Sequence, residues 1–301
     1  MDSAPSYRAY SVRVSPLRRT LRRVEALARL ARPINLLLIG MTSLNAQLLL
    51  WKGNPGLSLN WNLWFVMVLS TLLTAAGGYW LNDLYDQPID RINRPTRALW
   101  TARAGQRLLF TATFLSWLIA AGLSLLLPLK IALLHVAAMV TLGWYARFGK
   151  RTGLLGNTVI ALLTGIVPWE VILLSGNTTY SVAWMIPLAA GFNFVREIVK
   201  DAEDLRGDQT YGVRSLPARL SHTTWQRFLQ GLWIALIGLT LMPAMGHVFL
   251  WKTLPLFYLT MCLPTVILPL LWGLTEWGDY RFMSLLLKLA MAGGLTALWG
   301  L

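Results

Sequence analysis

Nine long apolar runs, at about 34–51, 62–81, 108–128, 131–147, 154–174, 182–198, 229–247, 250–273 and 283–301, divide the chain. Each can cross the hydrocarbon core of a bilayer, which takes roughly 17–25 mainly apolar residues. Backbone N–H and C=O groups in lipid must pair within their own segment, so the runs are expected to be helices. The alternation of a transmembrane barrel is absent. Composition agrees, with 55% of the 301 residues hydrophobic and only 13% charged, where a soluble domain carries about 25%. The expected fold is an all-α integral membrane bundle of nine transmembrane helices. No low-complexity segment or long linker interrupts it, so residues 34–301 are read as one transmembrane domain behind a basic segment, 1–33.

Charge orients the bundle. The chain carries 27 basic and 13 acidic residues, a formal +14. The basic residues flank apolar runs rather than forming a soluble face, which argues against nucleic acid and for anionic lipid headgroups. Arginines crowd residues 1–33, then 82–107 (Arg91, Arg94, Arg97, Arg103, Arg107), the Arg147–Arg151 connection and 199–228. The alternate loops hold little beyond Lys52, Lys130 and Lys252. By the positive-inside rule the charge-rich side is cytoplasmic. The expectation is therefore a multi-pass protein of the cell (inner) membrane, with its N-terminus and its charged loops inside. For the tail, an organellar transit peptide is the alternative to a cytoplasmic segment lying as an interfacial helix. The single cysteine, Cys262, excludes a disulfide framework or a cysteine metal site.

Acidic residues are scarce, and six of the 13 stand in two places. Asp83, Asp86 and Asp90 have the spacing DxxDxxxD, and Asp201, Asp204 and Asp208 repeat it. Both sets follow an apolar run on the side expected to be cytoplasmic. Positions i, i+3 and i+7 share one face if the helix continues; Pro88 makes a kinked segment equally compatible. Carboxylates this close repel and need an offsetting cation. Mg²⁺ suits them, taking hard oxygen ligands from a few carboxylates and completing its shell with water and phosphate. Zinc suits them less, since His135, His222 and His247 lie far from both clusters in sequence. The plainer reading, a solvated helix end paired with Arg91 and Arg94, loses force once the cluster is repeated.

Arg94, Lys150, Arg151, Arg196 and Lys200 are placed to neutralise phosphate oxygens that a metal leaves free, though each also suits a positive-inside anchor. Asn157, opening an apolar run, is a candidate for substrate contact or helix–helix hydrogen bonding. Trp61, Trp64, Trp80, Trp144 and Trp169 fit interfacial belts more simply than an aromatic wall around a carbocation.

With these motifs the chain resembles the UbiA superfamily of intramembrane prenyltransferases. Asn82, Asp83, Asp86 and Asp90 match its NDxxDxxxD motif. Asp204 and Asp208 match its second, DxxxD, motif, with Asp201 just before. Tyr145 and Lys150 match a tyrosine and a lysine between them. The resemblance implies Mg²⁺ ions bridging an isoprenyl diphosphate between the Asp motifs, ionisation of the allylic C–O bond, and capture of the prenyl cation by a lipid-soluble acceptor. It implies catalytic roles for Asp83, Asp86, Asp90, Asp204 and Asp208, with Asp201 also a metal ligand. Asn82, Arg94, Tyr145, Lys150, Asn157, Arg196 and Lys200 would contact substrate. The run from Arg196 to Asp208, followed by GVRSLP from Gly212 to Pro217, is most similar to digeranylgeranylglyceryl phosphate synthases, which geranylgeranylate a glycerol-phosphate ether lipid. Ala98 and Leu99 depart from the Arg-Pro-Ile/Leu-Pro run common after the first motif, so an aromatic quinone precursor or a chlorophyll-type acceptor stays open. A transporter using the carboxylates as ion sites is the non-enzyme alternative.

Overall fold

In the computed structural model, residues 15–54, 56–58, 60–213, 215–245, 259, 263–273 and 279–297 are described. Cys262 and residues 1–14 lie outside them. The described chain is helical, in the order α1 (Pro16–Leu30), α2 (Pro33–Gly53), α3 (Trp61–Asn93), α4 (Pro95–Ala104), α5 (Gln106–Ser124), α6 (Leu129–Phe148), a 3₁₀ turn (Gly149–Thr152), α7 (Leu154–Ser175), α8 (Tyr180–Glu203), α9 (Leu205–Thr210), α10 (Leu216–Arg219), α11 (His222–Met245), α12 (Leu263–Gly273) and α13 (Tyr280–Ala297).

Local chemistry explains the starts. Pro16, Pro33 and Pro95 each sit in the first turn, where the missing N–H would be unpaired anyway. Asn60 caps α3 by accepting from the Leu63 N–H at 3.0 Å, and Thr179 caps α8 by accepting from the Val182 N–H at 3.3 Å.

α3 matters most for function. It continues through Pro88, which is exposed, to Asn93, well past the apolar run that ends near residue 81. At 1.5 Å per residue its 33 residues span roughly 50 Å, against a hydrocarbon core of about 30 Å. The last turns thus rise out of the bilayer and carry Asp83, Asp86 and Asp90 on one buried face.

The helices bury apolar side chains in three groups. Leu50, Met67, Ile131, Val171 and Met185 join α2, α3, α6, α7 and α8. Phe192, Ile198, Trp233, Leu268, Met283 and Leu287 join α8 to α11, α12 and α13. A smaller group seats α1: Ala26 and Leu30 pack with Ala104 and Leu109, against Trp80 and Trp100. The outer faces are apolar too, with Phe110, Phe114, Leu118, Leu133, Val140 and Ile234 exposed. A chain apolar both inside and outside has lipid as its outer solvent. The fold is a multi-pass membrane bundle.

Six helices among the described residues, α2, α3, α5, α6, α7 and α8, are long and apolar enough to cross a membrane. The sequence reading expects nine. Of the other three runs, 229–247 falls on α11. The first half of 250–273 lies mostly outside the described residues, leaving the short α12. The run 283–301 falls on α13, which carries Arg281 and Lys288, and its last four residues lie outside the described ones. The basic N-terminal segment is also more than an interfacial tail, since α1 docks on α3 and α4 through a buried stripe.

Candidate active site

The two Asp motifs meet. Asn93, in the last turn of α3, donates from Nδ2 to the Asp204 carbonyl at 2.7 Å and accepts the Gly207 N–H on Oδ1 at 2.8 Å. One buried amide therefore staples the end of α3 to the α8–α9 corner. Arg94, capping α3, adds a guanidinium donor to Asp204 Oδ2 at 2.8 Å. Gly207 permits the approach: a Cβ there would stand 2.5 Å from the Asn93 amide.

Asp83 is fully buried and takes a 2.8 Å bond from Arg32 Nη2 on Oδ1, with Arg97 Nε at 3.9 Å. Arg32 bridges α1 and α2 with φ 54°, the only non-glycine residue with positive φ among those described. Its guanidinium also lies 4.6 Å from the centre of the Tyr79 ring. Asp86 accepts from Asn82 Nδ2 at 2.6 Å. Asp90 and Asp208 are buried and Asp201 half-buried at the same end; Asp201 Oδ2 accepts from Asn157 Nδ2 at 2.7 Å. On α8, Glu197 takes Arg196 Nη1 at 2.8 Å on one oxygen and Lys200 Nζ at 2.7 Å on the other.

Burial opposes the charge on Arg32 and Arg94. The Asp83 carboxylate more than offsets it for Arg32, and Asp204, Glu203 and Asp90 do so for Arg94, so both guanidinium groups are held more firmly protonated. Arg97 is pulled down to about 10, by the Arg32 charge first and burial second.

These groups crown a cavity of about 200 Å³. Asn82, Asp86, Arg94, Arg196, Glu197, Lys200 and Asp204 line its charged end, and Leu38, Ile39, Leu142, Leu163, Val167 and Met291 its walls. Along α3 it runs from Asp86 to Thr71, roughly 22 Å at the helical rise. The far end is a closed polar network. His135 Nε2 meets Glu170 Oε1 at 3.2 Å, His135 Nδ1 meets Ser124 Oγ at 2.7 Å, and Thr71 Oγ1 donates to Glu170 Oε2 at 2.8 Å. Among the described residues no tryptophan lines the cavity; its aromatic rings are Tyr79 and Tyr145. Trp61 and Trp169 are exposed, which suits the belt rather than the wall, whereas Trp80 packs beneath α1 and its Nε1 donates to the Leu27 carbonyl at 3.0 Å.

A family model described as the UbiA prenyltransferase family matches residues 41–292. The chain belongs to the UbiA prenyltransferase family. The digeranylgeranylglyceryl phosphate synthase of Sulfolobus acidocaldarius is 36% identical over 180 residues, covering 58% of this chain and 62% of that protein. A solved digeranylgeranylglyceryl phosphate synthase superposes with TM-score 0.67 at 22% identity, over 92% of this chain and 97% of that one. A UbiA homologue from Archaeoglobus fulgidus, solved bound to GPP and Mg²⁺, superposes with TM-score 0.64 at 16% identity, over 91% and 99%. These likenesses establish a UbiA fold.

A divalent cation fits the UbiA motifs here. Asp83 Oδ2 and Asp204 Oδ1 are buried with no hydrogen-bond partner, one from each motif. No three His, Cys, Asp or Glu side chains among the described residues form a metal cluster by themselves. That suits an ion sharing its shell with water and phosphate oxygens rather than one caged by protein.

Of the residues singled out in the sequence, Asn82, Asp86, Arg94, Tyr145, Arg196, Lys200 and Asp204 line this UbiA cavity. Asp83, Asp90, Asp201, Asp208 and Asn157 lie outside its lining. The Lys150 side chain lies outside the described ones; its backbone is in the 3₁₀ turn. Arg151 is exposed. Sequence reasoning passed over Arg32, Asn93, Glu197, Lys288 and the His135–Glu170 pair. Arg32-Pro33 at a helix boundary was a signal for the first of these. An ionisable residue inside an apolar run was the signal for Glu170 and Lys288.

Proposed function

We propose that this protein is a Mg²⁺-dependent intramembrane prenyltransferase that moves a prenyl group, geranylgeranyl, from its diphosphate to geranylgeranylglyceryl phosphate. One observation carries the reading: two carboxylate motifs, stapled together by Asn93, stand at the charged end of a single apolar cavity. The similarity to digeranylgeranylglyceryl phosphate synthases supports the acceptor.

Asp83, Asp86, Asp90, Asp201, Asp204 and Asp208 would hold the metal, which when bound supplies positive charge against the departing diphosphate. Arg94 and Lys200, with Lys150, donate hydrogen bonds to phosphate oxygens as the allylic C–O bond breaks and its electron pair leaves with the diphosphate. Asn82 orients Asp86, and Asn157 orients Asp201. Tyr145 lines the cavity wall, where an aromatic ring would stabilise the prenyl cation. The apolar walls keep water from that cation until the acceptor hydroxyl attacks and gives up its proton.

The finer topology belongs to the same reading. Residues 34–301 form one domain of nine spans behind the basic 1–33 segment, in the cell membrane with the N-terminus and the Asp motifs cytoplasmic. The arginine-rich connections at the motif end support that orientation.

The test is transfer by the purified protein in lipid vesicles, with geranylgeranyl diphosphate and geranylgeranylglyceryl phosphate, and with aromatic acceptors in parallel. A Mg²⁺-dependent digeranylgeranyl ether, lost in Asp86→Asn and Asp208→Asn, is expected. Transfer only to an aromatic ring would replace the acceptor, and unimpaired turnover in both variants would refute the metal site.

A further inference from the structure

Among the described residues, five cationic side chains line the cavity: Arg32, Arg94, Arg196, Lys200 and Lys288. Four have carboxylate partners at 2.8 Å or closer, namely Asp83 for Arg32, Asp204 for Arg94, and Glu197 for both Arg196 and Lys200. Lys288, on α13, has no hydrogen bond or ion pair with any described residue. The four charges acting on it most strongly, Arg196, Lys200, Arg32 and Arg97, are all positive. An ammonium among other cations in a membrane cavity is expensive unless an anion joins it.

Arg196 points the same way. It is 8% exposed, and its Nε is buried with no hydrogen-bond partner although Nη1 serves Glu197. Lys288 and Arg196 stand on α13 and α8, which pack together. Lys288 belongs to neither helix bearing an Asp motif, and each motif has its own arginine, Arg32 for Asp83 and Arg94 for Asp204. The α13 side of the cavity therefore offers a second anion site beside the diphosphate site.

We infer that Lys288, with Arg196 Nε, binds the phosphate monoester of the lipid acceptor. The inference rests on the prenyltransferase reading and deepens it. The acceptor is thus an amphiphile selected by its phosphate, held so that a neighbouring hydroxyl faces the donor carbon. An aromatic acceptor without an anionic group leaves this pair unmatched. Lys288 is a positioning residue here and takes no part in bond breaking.

Steady-state kinetics on Lys288→Gln and Lys288→Arg in vesicles tests this, varying geranylgeranyl diphosphate and geranylgeranylglyceryl phosphate separately. Lys288→Gln is expected to raise the acceptor KM by about tenfold or more, the loss of one charged hydrogen bond. The donor KM should stay within the error of wild type, and Lys288→Arg should restore most of the acceptor affinity. For wild type, acceptor lacking the phosphate should compete poorly, and Lys288→Gln should narrow the gap between the two acceptors by about tenfold. A rise in the donor KM alone would assign Lys288 to the diphosphate and overturn the inference, as would an unchanged acceptor KM. Wild type run alongside separates the failures: no transfer by wild type defeats the enzyme reading, whereas transfer indifferent to Lys288 defeats only this one. Lys288→Arg, keeping the charge, covers misfolding of the glutamine variant.

Discussion

Arg32 concentrates several physical demands in one residue. It holds the left-handed conformation between α1 and α2, stacks on Tyr79, and gives the fully buried Asp83 its only short ion pair among the described residues. Positive φ is costly for a side-chain-bearing residue, so the surrounding contacts must hold it there. Removing one partner of a buried pair typically costs about 3–5 kcal/mol, because the other charge stays behind. Arg32→Ala should therefore lower thermal stability in detergent markedly, and adding Asp83→Asn should return part of the loss. Equal melting of Arg32→Ala and wild type would show that Asp83 does not depend on Arg32. Sequence reading counted Arg32 as one of many N-terminal arginines. Its neighbour Pro33 marks a helix boundary there but does not reveal which residue, 51 positions away, Arg32 contacts.

At the level of elements, the site is a junction between the overrun of α3 and the break between α8 and α9. Asn93 spans it with two hydrogen bonds, and Gly207 leaves room for the amide. Asn93→Ala and Gly207→Ala are both expected to slow prenyl transfer by about a hundredfold, the scale of a small misplacement of reacting groups. Far-ultraviolet circular dichroism should meanwhile stay helical. Turnover near wild type in both would mean that the motifs keep their places without the staple. The carboxylate spacing was legible in sequence because a helical face repeats every three or four residues. The apolar runs marked most helix cores to within a few residues for the same reason: lipid demands them. The far end of α3 was not legible, since its last turns are polar and contain Pro88; its buried face is covered by neighbours such as α4 and α9, which residue spacing does not reveal. Glu197 was similarly hidden, a carboxylate outside either motif whose two partners come from its own helix.

For the whole molecule, the arginine bias predicts one orientation. In a Cys262→Ser background, Arg103→Cys lies on the motif side and Asn177→Cys on the opposite side, and both positions are exposed. A membrane-impermeant thiol reagent should label Arg103→Cys only in inside-out vesicles and Asn177→Cys only in right-side-out ones. The reverse pattern would place the active site outside. The bundle as a class was readable from hydropathy alone, but the count of spans depends on helices with interrupted apolar runs. The cavity could not be read from hydropathy at all: wall residues such as Leu38 and Val167 are as apolar as those that face lipid.

The arginine–carboxylate pairs at the motif end carry a consequence for how the protein matures. Unlike small domains that collapse only around a metal, this chain neutralises Asp83 and Asp204 from within, through Arg32 and Arg94. On the proposed function, folding would then not have to wait for magnesium. On the same reading, diphosphate arrival would be an exchange of partners in which Arg94 trades a carboxylate for a phosphate oxygen.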